Sequence, residues 1–150
     1  MTFFDYPGDE PVVTQHVAQQ AFLPDATEGE WSDLLRMATV RRLVAGETVI
    51  SPGATDRSLF VVLEGQLEVL APSGRKWRHV MTAGAGSIVG EASFIDSVPR
   101  AVLARAVSNA SVAELTRESF AALGRTRPEL AIAVAMDAAR VLAQRAQATG

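Results

Sequence analysis

The sequence predicts a mainly β fold with flanking helices: a double-stranded β-helix (jelly-roll) barrel with an N-terminal helix and C-terminal helices. Three observations predict it. Short β-type runs follow one another from Thr39 to Leu115, each closed by turn residues. No long helical pattern separates consecutive runs, which argues against a βαβ sheet and for a sandwich or jelly-roll barrel. Helical spacing appears instead near the two ends of the chain.

The first helix is expected over about residues 27–38. Thr27 and Glu30 have the spacing of a capping box, and Trp31, Leu34 and Leu35 share one apolar face. The β runs are residues 39–44, 48–50, 58–63, 66–71, 77–82, 88–89, 101–107 and 111–115. Ala45-Gly46, Ser51-Pro52-Gly53, Glu64-Gly65, Pro72-Ser73-Gly74, Gly84-Ala85-Gly86 and Ser108-Asn109 supply the breaks between them. A short helix is then expected over 116–123, ended by Gly124. A longer one opens at Arg127-Pro128, with proline in the first turn, where a missing N–H costs nothing. Along it Glu129, Asp137, Arg140, Gln144 and Gln147 make one narrow polar stripe. Ile132, Val134, Met136, Val141 and Leu142 cover most of the remainder, an arc wider than one packing surface needs. A ligand, a second protomer, or both are expected against it.

At 150 residues, 48% hydrophobic and 21% charged, the chain suits one soluble globular domain. Residues 1–26 read as an N-terminal extension and residues 27–147 as the domain. Phe3, Phe4, Tyr6, Val12 and Val13 make the extension too apolar for a disordered tail, so it is expected to pack on the domain. No apolar run approaches the ~20 residues of a membrane span, and no secretory signal is visible. A cytoplasmic location without a membrane partner is therefore expected. The absence of cysteine excludes disulfides, thiolate nucleophiles and sulfur-ligated metals. His16 and His79 lie far apart with no carboxylates at ligand spacing, so no metal is expected. A net charge of −3 offers no footprint for a nucleic-acid backbone, and with the long helix running almost to Gly150 no nucleic-acid partner is expected. Catalysis is not expected either. Gly84-Ala85-Gly86-Ser87-Ile88-Val89 lacks the third glycine of a dinucleotide fingerprint, and no nucleophile motif is present.

The informative stretch is residues 84–106. Gly84, Gly86 and Gly90 allow tight turns and close approach of backbone to a ligand. Residues 91–96 can form about a turn and a half of helix, whose free N–H groups would face an anion. Pro99 then fixes a turn that delivers Arg100 beside the same point. A guanidinium facing amide donors suits a phosphate. Glu91 would repel that phosphate, and makes sense if it accepts a hydroxyl from an attached sugar. Sugar and phosphate on one cassette mean a nucleotide.

Gly90-Glu91-Ala92-Ser93 followed by Pro99-Arg100-Ala101 resembles the phosphate-binding cassette of the cyclic-nucleotide-binding domains, the family of the catabolite activator protein and the protein kinase A regulatory subunit. Residues 41–50 resemble that family's opening strands, and residues 58–69 its next strand pair around a glycine turn. The resemblance covers about residues 28–146. It implies that Glu91 binds the ribose 2′-hydroxyl and Arg100 the cyclic phosphate. The amides of Ala92, Ser93 and Ala101 would complete the cradle, with Val80 and Val89 lining the base pocket. Members that prefer cGMP usually carry Thr or Ser after the arginine, so Ala101 implies cAMP as ligand, with cGMP the second candidate. The resemblance also implies a lid helix over about residues 128–146, near whose base-facing side Arg140, Val141 and Arg145 fall. It would relay the signal to an effector protein or a homodimer partner. The alternative is a scaffold of this type that has lost its ligand and serves dimerisation or protein interaction.

Overall fold

The computed structural model of the chain describes residues 21–149. The expected packing of Phe3, Phe4, Tyr6, Val12 and Val13 lies outside the described residues. In chain order the elements are α1 (Glu28–Met37), β1 (Thr39–Leu43), β2 (Thr48–Ile50), β3 (Leu59–Glu64), β4 (Gln66–Ser73), β5 (Lys76–Gly84), β6 (Ile88–Val89), α2 (Glu91–Asp96), β7 (Leu103–Ala106), β8 (Ala110–Leu115), α3 (Arg117–Thr126) and α4 (Pro128–Thr149).

The mainly β fold with flanking helices is present, but the closed barrel is not. The strands form two open four-stranded sheets, ordered β1-β8-β3-β6 and β2-β7-β4-β5, with antiparallel pairs throughout. Closure would require the edge strands of one sheet to pair with those of the other. Two of those edges are too short to do so: β6 has two residues and β2 has three. Irregular register between Thr48 and Ile50 shortens the β2 ladder further. The sheets meet instead through side chains.

The apolar run of β3 serves two cores at once, because successive side chains point to opposite faces. Phe60 and Val62 join Leu43, Ile50, Leu67, Val69, Val89, Ala104 and Val112 between the sheets. Leu59 and Val61 face the other way, with Ile88, Ala113 and Leu115, against Leu34, Leu123, Leu130, Val134 and Val141 of the helices. The first sheet is thus buried on both faces. In the second, Arg105 and Glu68, 13% and 9% exposed, pair across β7 and β4 at 2.8 Å. Gly65, at φ 77°, makes the β3–β4 turn, and a Cβ there would stand 2.6 Å from the Asn109 carbonyl oxygen.

The helices start where local chemistry stops the strands. Thr27 Oγ1 accepts from the Glu30 amide and Glu30 Oε1 from the Thr27 amide, closing the capping box of α1, a device worth about 1 kcal/mol. Thr116 caps α3 by accepting from the Ser119 amide at 3.0 Å. Gly124 does not end α3 as its sequence suggests. It lies inside the helix, and the stop comes at Arg127, where Pro128 opens α4. Arg127 pairs with Asp33, which ties the α3–α4 junction to α1.

Candidate functional site

β6 ends at Gly90, whose φ of 87° and ψ of 11° are left-handed. A side chain there would be strained by the backbone alone. It would also have no room, because its Cβ would stand 2.8 Å from Nη1 of Arg100 and 2.9 Å from the Ser58 carbonyl oxygen. The turn at Gly90 starts α2 with Glu91, Ala92 and Ser93. Ser97, at φ 60°, ends it, and the chain returns past Pro99 to Arg100.

Arg100 is a charge in the interior, 4% exposed, and burial of a charge requires partners. It has them on three sides. Nη1 donates to the Gly90 carbonyl at 2.9 Å and Nη2 to the Ser58 carbonyl at 2.6 Å. Nε and Nη2 reach the two oxygens of Asp56 at 3.3 and 2.7 Å, a bidentate fork. The hydrogen bond from Arg100 holds the Asp56 carboxyl below its ordinary range, against the opposing effect of burial. These bonds engage four of the five N–H groups of a guanidinium.

Glu91, one residue into α2, has a partner from far along the chain. Its Oε1 accepts from Nη1 of Arg145 on α4 at 2.8 Å, and the two side chains are 11% and 13% exposed. Breaking such a pair from one side leaves an uncompensated charge. The other side of α2 is fastened to α3. Arg117 donates to the Phe94 carbonyl at 2.8 Å, with its guanidinium 5.6 and 5.9 Å from the Phe94 and Phe120 ring centres.

The structure brings Gly90, Glu91, Ala92, Ser93 and Arg100 onto one turn and its flank. Ser93 is buried, while Ala92 and Ala101 are exposed. Val89, next to Gly90 at the end of β6, and Val80 on β5 belong to the inter-sheet core, Val89 buried and Val80 half-buried. Sequence reasoning missed Asp56 and Ser58, which hold Arg100, and the pairing of Arg145 with Glu91. The family resemblance puts Arg145 near the lid, but nothing local signals a bond across 54 residues.

The sequence model of the cyclic nucleotide-binding domain matches residues 40–127, a stretch that contains the cassette and both strands flanking it. The chain belongs to that family. It is 30% identical over 130 residues to glutaminase 2 of Bradyrhizobium diazoefficiens, covering 87% of this chain and 20% of that protein. The domain thus spans about a fifth of the length of that relative. Among solved structures, the catabolite activator protein of Thermus thermophilus is 26% identical with a TM-score of 0.74, over 84% of this chain and 58% of that one. A cyclic nucleotide-binding domain from Methylobacillus flagellatus is 23% identical with a TM-score of 0.75, over 87% and 74%. Membership makes the chain a nucleotide-sensing module in general, and the family is defined by binding rather than catalysis. Among the described residues, no group of His, Asp or Glu is placed to hold a metal ion, and no helix is long and apolar enough to cross a membrane.

Proposed function

We propose that the domain senses cAMP through the cassette and relays its binding by movement of α4. One observation carries the reading: Arg100 is fixed against the carbonyl of Gly90, on the turn that presents Glu91. In the bound state Arg100 pairs with the cyclic phosphate and Glu91 accepts the ribose 2′-hydroxyl. The amides of Ala92, Ser93 and Ala101 complete the cradle, and Val80 and Val89 form the wall behind the base. Ala101 offers no hydroxyl to a guanine, which favours cAMP over cGMP.

The Arg100 and Glu91 side chains are 2% and 11% exposed, so admitting a ligand requires an opening. Asp56, whose side chain is 45% exposed, can swing to solvent and yield its place on Arg100 to the phosphate. Arg145 lies on Glu91, and its departure with α4 uncovers the carboxylate. A ligand that binds the open state shifts the helix toward it, and its apparent affinity is reduced by the rarity of that state.

The released helix has a surface to offer. Ile132 and Met136 are already 63% and 67% exposed. With Ala139 and Ala143 they are spaced four, three and four residues apart, the seam of a two-helix contact. A second copy of α4 is the partner this seam fits best, an effector helix the other.

A ligand-silent scaffold is the second reading, favoured by the fact that both anchors already have partners within the chain. Titration calorimetry with cAMP, then cGMP, separates the two. Saturable binding of cAMP at about micromolar affinity, lost in Arg100→Ala, supports the sensor. No heat with either nucleotide, from folded protein, establishes the scaffold.

A further inference from the structure

Four consecutive residues of β4, from Leu67 to Leu70, are buried. Successive side chains of a strand point to opposite faces, so the second sheet is covered on both. Leu67 and Val69 enter the inter-sheet core. Glu68 and Leu70 face outward, with Arg105 and Leu103 of β7 directly opposite them and Thr82 of β5 beside Glu68. On this outer face Leu70 is 0% exposed, Thr82 5% and Leu103 9%. Trp77, two residues along from His79, continues the same face opposite Pro72 and is half-buried. An outer face that dry, with an ion pair set in it, needs something lying on it.

The described helices pack elsewhere, on the first sheet, through Leu34, Phe94, Leu123 and Val134. Twenty residues precede Ala21, and the chain enters the described region close to this face. Phe22 donates its amide to the Gly86 carbonyl at 2.8 Å, two residues past the end of β5. β5 is an edge strand of the second sheet. Twenty residues can reach up to about 66 Å when extended, and four strands are only about 14 Å across. The composition fits as well. Phe3, Phe4, Tyr6, Val12 and Val13 supply apolar surface, while Asp5, Asp9 and Glu10 are its charges, with no lysine or arginine. In a chain of net charge −3, the β4–β5 hairpin gathers Arg75, Lys76 and Arg78, all exposed. The two segments are opposite in sign, which sets orientation more than affinity.

We propose that the outer face of the second sheet is a docking surface for residues 1–20 of the same chain. Apolar side chains of that segment cover Leu70, Leu103 and Trp77, and its three carboxylates meet the cations of the hairpin. The surface is distinct from the cassette, and the proposal stands whichever ligand the cassette takes.

Two measurements on the full chain test it. Lys76 is the only lysine, so a zero-length carbodiimide reports which carboxylates lie against the hairpin. Docking predicts links from Lys76 to Asp5, Asp9 or Glu10 within one molecule, mapped by mass spectrometry. The second measurement isolates Trp77, since Trp31→Phe removes the other tryptophan. In that background Phe3→Ser with Phe4→Ser shifts Trp77 emission to the red and strengthens its quenching by acrylamide, while circular dichroism is unchanged. Links from Lys76 only to carboxylates beyond residue 20, or Trp77 emission unmoved by the serines, overturn the proposal. Links that join isotope-labelled to unlabelled chains overturn it too, and give the face to a second copy.

Discussion

Two arginine–carboxylate pairs bracket the cassette, and they are attached to different parts of the molecule. Arg100 is held by Ser58 and Gly90, backbone carbonyls at the start of β3 and the end of β6. Those strands pair with each other through Phe60 and Val89, inside a sheet buried on both faces. Its carboxylate partner, Asp56, is the exposed member, reaching in from a loop with 45% of its side chain open to solvent. The second pair is arranged the opposite way. Glu91 is fixed in the cassette, while Arg145 arrives from near the end of α4, a helix that no strand ladder restrains. Under the proposed reading Arg100 is the anchor and Arg145 the latch. The two pairs share one chemistry, and what differs is the element behind each guanidinium, a pair of bonded strands for Arg100 and a helix held by side-chain packing for Arg145.

The largest expected effect breaks the anchor. Arg100→Ala removes charge-assisted bonds of about 1.5–3 kcal/mol each. It should weaken cAMP binding at least tenfold, about 1.4 kcal/mol, with the two sheets still formed by circular dichroism. Unchanged affinity would remove the cassette from the ligand site altogether.

Acting on the latch has the opposite sign. Arg145→Ala releases Glu91, raises the open population and tightens cAMP binding by about fivefold. If the variant binds more weakly, Arg145 belongs to the bound state and the latch account fails. The seam on α4 comes next. Met136→Glu places a charge in the proposed helix–helix contact and should lower nucleotide-dependent self-association, followed by sedimentation velocity. Equal association by the variant and the parent chain would direct attention to another face.

Acid should produce the smallest change. Against burial, bonds from Arg140 and the Leu23 amide hold Asp137 below its ordinary range when folded, as the bond from Arg100 holds Asp56. Their stabilising contribution is present above the unfolded carboxylate value of about 3.9 and is lost as pH falls through the lower folded value. Thermal unfolding followed from pH 6 down to about pH 3.5 should show that loss only at the acid end. Of the two carboxylates, Asp56 is the more screened by solvent, at 45% exposed against 15% for Asp137. A transition centred above pH 5 would implicate other groups.

These contrasts also explain what the sequence discloses. The Thr27–Glu30 box, the turn at Gly65 and the return at Pro99 are local, and the residues that form them lie within a few positions of one another. Gly90 and Arg100 are ten residues apart with only a short helix between, so their meeting is legible as well. Sheet closure is not. It depends on edge strands separated by most of the chain, and β6 with its two residues reads the same in either arrangement. The partners of the two anchors are equally hidden, at separations of 44 and 54 residues. Asp137 and Arg140 mislead for a further reason. A polar stripe on a helix has the same spacing whether it meets water or grips a backbone segment, as Asp137 grips the Leu23 amide 114 residues earlier.

Hydrogen exchange along α4, with and without saturating cAMP, tests the central claim most directly. The account predicts that nucleotide speeds exchange across residues 129–146 as Arg145 leaves Glu91, while the strands that hold Arg100 keep their protection. Protection of α4 that is unchanged or increased by bound cAMP would contradict it, and would make Arg145 part of the closed, ligand-bound site.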